Sequence, residues 1–189
     1  MLALRALTLA MVPYALWLVF GYEYHFLDGV NLAFHEAGHL FFTPFGLTLH
    51  VLGGTFLQLA VPLICAGHFL REGKRFEPWI CLFWMGESLM YTAFYMSDAV
   101  RMELPLVGGG EIHDWNWLLR KAGVLQHCTV LSGATHLVAS SIVLGSLWMA
   151  FRAAFRSSSK EAELSIGHPT RMSSSSGALG GAERLPRSR

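Results

Sequence analysis

Apolar residues fill the first 151 positions in long runs, broken by charged or glycine–proline clusters. The first run covers residues 6–22 and is followed by Glu23, His25 and Asp28. A shorter run over 30–42 stops at Pro44 and Gly46. Residues 48–54 close on Gly53-Gly54, which marks a turn or a close backbone approach. Long runs follow over 55–70, 78–96 and 124–151. Between them lie the charged loop Arg71-Glu72-Gly73-Lys74-Arg75 and a mixed connection over 98–121 containing Pro105 and Gly108-Gly109-Gly110. A helix needs about 20 apolar residues to cross a bilayer. The pattern therefore predicts an all-α, multi-pass membrane protein, with about four transmembrane helices and a short extra helix over 30–42.

Loop charge orients this arrangement. Arg71, Lys74 and Arg75 form the densest basic cluster, which the positive-inside rule places in the cytoplasm, and Arg152 and Arg156 place the end of the last span there too. Glu23 and Asp28 then lie outside, and the 30–42 helix enters from the outside and returns. Arg120 and Lys121 run against this orientation.

Composition sharpens the reading. Of 189 residues, 53% are hydrophobic and only 14% are charged, against about 25% charged in an ordinary soluble domain. With 14 Lys+Arg and 13 Asp+Glu there is no basic excess for nucleic acid. Residues 152–189 are different: they hold 7 Lys/Arg, 3 Asp/Glu and 9 Ser, with little to build a core. They read as a disordered Ser/Arg-rich tail behind a membrane-embedded domain over 1–151. Cys65, Cys81 and Cys128 sit singly in apolar runs and read as packing residues.

Candidate chemistry lies in the short helix. His35-Glu36-Ala37-Gly38-His39 is an H-E-x-x-H motif. Residues four apart share a helix face, so His35 and His39 can bind one metal ion while Glu36 reaches an attacking water as general base. The residue frequencies of this chain give roughly 0.02 chance occurrences of the pattern. Ionisable groups in an apolar run are also costly in lipid, which argues for a function.

In this setting the motif resembles the site-2 protease family of intramembrane zinc metallopeptidases. The family follows its motif helix with a Gly-rich, extended element, to which residues 46–54 and Thr55-Phe56-Leu57-Gln58-Leu59 are similar. The resemblance spans about residues 30–115 and rests mainly on the one motif. It implies a Zn2+ cofactor held by His35 and His39, Glu36 as base, and peptide-bond hydrolysis in a membrane-protein or peptide substrate within the lipid bilayer. The compact chain suits a bacterial cytoplasmic membrane.

The family's third ligand is an Asp in a Leu-Asp-Gly stretch of a later span. Here Leu27-Asp28-Gly29 precedes the motif. Asp28 lies seven residues before His35, about 10 Å along a helix, too far to share its ion, and reads as a helix N-cap. Asp98, closing the 78–96 run, is the expected third metal ligand by residue type and chain order. His113 or Asp114, and Glu87, stand as alternatives. His50, beside the glycines, is a candidate for orienting substrate or ligand, and Gly53, Gly54 and Gln58 for the edge on which an extended substrate adds as a strand. His127 and His136 are nine residues apart, on opposite helix faces, and read as packed, hydrogen-bonded residues. The alternative function is a non-catalytic metal-binding membrane protein, a transporter or sensor component, for which Glu36 would be dispensable.

Overall fold

A computed structural model describes residues 2–105 and 112–166, and side chains as far as residue 155. The described residues form helices joined by short turns, with no strand among them. The helices are α1 (Leu2–Phe20), α2 (Phe26–Phe42), α3 (Leu47–Arg71), α4 (Glu77–Ser97), α5 (Asp114–Lys121) and α6 (Cys128–Ile166). Three segments are long and apolar enough to cross a membrane: Leu2–Phe20, Leu47–Arg71 and Leu125–Phe155. The run expected to form a further span, 78–96, lies within the 21-residue helix α4, which carries more polar side chains inward.

α2 starts at Phe26, four residues before the expected start. His25 has extended backbone, and its N–H donates to the Asp28 carboxylate at 2.8 Å, satisfying one of the otherwise orphaned groups at a helix start. Asp28 thus acts from the third helical position, and His25 is the capping residue. At the other end Thr43, Pro44 and Phe45 make a single 3-10 turn. Gly46, at φ +91°, then reverses the chain in a conformation that L side chains rarely adopt. α3 follows at once, so α2 and α3 form a helical hairpin.

The residues expected to be extended, 46–59, lie almost wholly within α3 and are helical. Their glycines serve close helix packing. A methyl group at Gly38 would lie 2.2 Å from the Gly53 carbonyl oxygen, and one at Gly53 would lie 2.8 Å from the Gly38 carbonyl oxygen. The two backbones touch where only hydrogen atoms fit between them, the contact that small residues allow between apolar helices. Gln58 is buried on α3 and not at a strand edge.

α4 is enclosed by the other helices. Phe83 and Met90 pack with Ala15 and Leu18 of α1 and with Ala139, Val143 and Leu147 of α6. A methyl group at Gly86 would lie 2.8 Å from Val143 Cγ2, so glycine brings α4 onto α6. His136 Nε2 lies 3.0 Å from the Val19 carbonyl oxygen and satisfies the end of α1, whereas His127 is exposed in a 3-10 turn. α6 runs on to Ile166, past the expected boundary at residue 151. The rest of the expected tail, residues 167–189, lies outside the described residues, as do Gly108, Gly109 and Gly110.

Polar and apolar positions are distributed against the habit of a water-soluble protein. Leu9, Phe20, Phe41, Phe56, Ile64, Leu137 and Trp148 face outward, while Asp28, Asn31, His35, Gln58, Glu87, Ser88 and Asp114 are buried. In lipid the outward side chains need no cover, and each buried polar group needs a partner.

Candidate metal centre

His35 and His39 project from α2 with their rings 4.6 Å apart, centroid to centroid. Asp114, at the start of α5, meets both. Its Oδ2 lies 2.8 Å from His35 Nε2 and 3.1 Å from His39 Nε2. The three ligand atoms all fall within 4.8 Å of one another. His35 and Asp114 are buried, and His39 is mostly so.

The other ring nitrogens fix the protonation of the two imidazoles. Gln58 donates through Nε2 to the Ser88 carbonyl oxygen at 2.8 Å and to Thr92 Oγ1 at 3.0 Å, which turns its Oε1 to His35 Nδ1 at 3.0 Å. An amide oxygen only accepts, so His35 Nδ1 carries the hydrogen. His39 Nδ1 lies 2.8 Å from the His50 carbonyl oxygen and donates to it by the same reasoning. In the neutral rings both Nε2 atoms therefore present lone pairs, aimed at a carboxylate oxygen that also has only lone pairs to offer. With both rings neutral the three acceptors hold together only around a cation; with a ring protonated they make an imidazolium–carboxylate pair. Tetrahedral zinc at its usual bond lengths would set such atoms about 3.3 Å apart, a few tenths of an ångström from the separations seen.

Glycine makes room for the rings. A methyl group at Gly54 would lie 2.6 Å from His35 Nε2 and 2.7 Å from His39 Cε1. His50 contributes its backbone carbonyl, while its ring Nδ1 lies 2.9 Å from the His39 carbonyl oxygen and 3.1 Å from Thr43 Oγ1.

The end of α4 sets the position of Asp114. Tyr95 Oη accepts from the Asp114 N–H at 3.3 Å, and the Tyr95 ring stacks on His113 at 4.3 Å. His113 caps α5 by accepting from the Asn116 N–H, and Asn116 Nδ2 donates to the Ala99 carbonyl oxygen at 2.7 Å. Burial holds the His113 ring below its ordinary pKa, in keeping with the neutral acceptor this cap requires. Burial pushes the Asp114 carboxyl up, and where the His35 and His39 rings are protonated their bonds and charges outweigh it and hold the carboxyl below the usual range.

Asp98 takes no part in the convergence. Its Oδ1 accepts from the Glu103 N–H and its Oδ2 from the Leu104 N–H, each at 3.0 Å, and Oδ2 lies 3.4 Å from His113 Nε2. Asp114, one of the weighed alternatives, is the carboxylate that meets the two imidazoles, while Asp98 is engaged with the backbone of the segment that follows it. Glu87 also lies elsewhere, grouped with His25 and Asp28. Glu36 is half-buried and makes no hydrogen bond or ion pair with the described residues. It follows His35 directly on α2, within one helical turn of His39.

Sequence reasoning assigned Gln58 to a strand edge and missed its hold on His35. The available signal was a lone amide within an apolar 25-residue helix, a residue that demands a partner in lipid. No family model, no curated protein and no solved structure matches the chain.

Proposed function

We propose that the chain is a multi-pass membrane metallopeptidase that holds zinc between His35, His39 and Asp114 and hydrolyses peptide bonds of membrane-embedded substrates. The observation that carries this is the convergence of two Nε2 lone pairs and a carboxylate, each held in place by a partner behind it, next to the unengaged carboxylate of Glu36. The donor set of two imidazoles and one carboxylate is that of a catalytic zinc site with a position left open. Zinc bound there supplies Lewis acidity and lowers the pKa of an attacking water toward neutrality.

Glu36 takes the proton from that water and delivers it to the leaving amine nitrogen. Gln58 and the His50 carbonyl keep both rings in the ligating tautomer through the cycle. Tyr95 holds the N-terminus of α5, so that Asp114 keeps its distance to α2. In this reading α4 is a fourth span, the Arg71–Arg75 loop is cytoplasmic and the His35 helix is reached from the outer side.

The test uses the full chain in detergent and in liposomes. Metal analysis should show one zinc equivalent lost in His35→Ala and in Asp114→Ala. Glu36→Gln should keep that ion. Wild type, reconstituted with a mixed library of single-span peptides, should generate new peptide termini by mass spectrometry, and Glu36→Gln should generate none. Zinc that is unaffected by His35→Ala would overturn the site. Metal bound as described without new termini would favour a non-catalytic transporter or sensor component.

A further inference from the structure

We propose that the start of α2 carries a second divalent-cation site, built from His25, Asp28 and Glu87, which ties α1, α2 and α4 together. One ligand atom from each of these residues falls within 4.8 Å of the others. Asp28 and Glu87 are fully buried. Among the described residues the ion-pair partner of both carboxylates is His25, not a Lys or Arg.

The hydrogen-bond inventory leaves a gap that a cation fills. Asp28 Oδ1 accepts from the Tyr22 hydroxyl at 2.6 Å, and Oδ2 from the His25 N–H at 2.8 Å. Glu87 Oε2 accepts from Asn31 Nδ2 at 2.9 Å, and Asn31 is itself fixed by Trp84 Nε1 at 2.9 Å. Glu87 Oε1 is buried without any donor and points to His25 Nε2 at 3.5 Å. His25 Nδ1 lies 2.8 Å from Asp28 Oδ2 and 3.1 Å from the Glu23 carbonyl oxygen, both acceptors, so it carries the ring hydrogen. Nε2 then accepts from the Tyr14 hydroxyl at 2.6 Å and lies 3.5 Å from the orphaned Glu87 oxygen; an ion bound here replaces that hydrogen bond with bonds to Nε2 and the phenol oxygen.

Two carboxylates, an imidazole and a phenol make a mixed oxygen and nitrogen set suited to a divalent ion of the zinc or manganese type. Two buried carboxyl groups share the single imidazole of His25 as ion-pair partner, and a divalent ion bound here neutralises both carboxylates. The His25 side chain keeps 17% exposure and lines an open apolar cleft with Tyr24, Phe26 and Gly29, which gives an ion a way in. Asp28 and His35 are seven residues apart on α2, about 10 Å of helix rise, so this site does not share the first site's ion.

The full chain, stripped by a chelator in detergent and re-equilibrated with Zn2+ alone, should bind two equivalents. Glu87→Gln and His35→Ala should each bind one, and the double variant none. His25→Gln, at a half-buried position, replaces Glu87→Gln if that variant does not fold. A single equivalent in wild type that vanishes with His35→Ala overturns the second site. So does a content that neither Glu87→Gln nor His25→Gln lowers. Loss through Glu87→Gln with no loss through His35→Ala would leave the second site standing and sink the first.

Discussion

The two ends of α2 carry two polar clusters of similar composition and different construction. At the C-terminal end, His35, His39 and Asp114 are backed by acceptors, the Gln58 amide oxygen and the His50 carbonyl, which turn ring lone pairs inward. At the N-terminal end, Asp28 and Glu87 are backed by donors, the Tyr22 hydroxyl and the Asn31 amide, which partly satisfy the negative charge. The first construction raises ligand basicity and leaves Glu36 unengaged. The second stabilises charge and leaves no free base beside it. Residue type alone does not separate a reactive site from a structural one. The direction of the hydrogen bonds behind the ligands does.

The change expected to separate the two clusters most is Gly54→Ala. Its methyl group would meet His35 Nε2 at 2.6 Å and His39 Cε1 at 2.7 Å, and a ring that retreats from α3 leaves its partner there, Gln58 or the His50 carbonyl. Misplaced ligands lose the ion outright. Metal affinity at the first site should fall more than about 100-fold, beyond what loss of an outer partner produces. The second site should be untouched, because the atoms nearest that methyl group all belong to His35 and His39. Competition with a chelator of known affinity reads both sites in one titration. Equal loss at both would show that the clusters are coupled through the α2–α3 hairpin.

Gln58→Leu should act less severely. It removes the acceptor that fixes the His35 tautomer and leaves Nδ1–H unpaired in a buried place, while the ring keeps its position. Zinc affinity should fall by roughly 10 to 100-fold. An unchanged affinity in Gln58→Leu would mean that the tautomer is set elsewhere.

The helical nature of the chain and its apolar runs were legible because lipid-facing helices are written as uninterrupted hydrophobicity. His35, Glu36 and His39 were legible because their spacing is local to one helix turn. Asp114 was harder. It is 79 residues from His35, and its approach depends on Tyr95 and Asn116 fixing α5 against α4. Gly53 and Gly54 carried the right local message, a close backbone approach, but extended and helical chains both use glycine for that purpose. Only the matching Gly38 on α2 distinguishes helix crossing from a strand. Asp28 and Glu87 were each weighed one at a time against the H-E-x-x-H motif. Their grouping with His25 brings Glu87 to positions 59 and 62 residues away, and no local spacing encodes that approach.

At the other end of α2, Tyr22→Phe removes the donor to Asp28 Oδ1. A hydrogen bond to a charged group contributes about 1.5–3 kcal/mol, so thermal stability of the metal-free protein should fall by that order. With the second-site ion bound, the loss should shrink, since the cation takes over part of the charge. A loss that is the same with and without Zn2+ would weaken the case for an ion there and leave the cluster as a set of hydrogen bonds.

The smallest effect belongs to Asp98→Ala, and it sharpens the assignment of the third ligand. Asp98 accepts from two backbone N–H groups of its own loop, both near the surface, where water can replace it in part. The stability loss should be about 1 kcal/mol. Zinc at the first site should weaken less than tenfold, because Asp114 is also held by the Tyr95 hydroxyl and by the bond from Asn116 to Ala99. Asp114→Ala, by contrast, removes a ligand atom and should abolish the ion. Full loss of metal in Asp98→Ala with the fold intact would reverse this order and return Asp98 to the ligand position. Near-normal metal content there, beside none in Asp114→Ala, would assign loop closure to one carboxylate and ligation to the other.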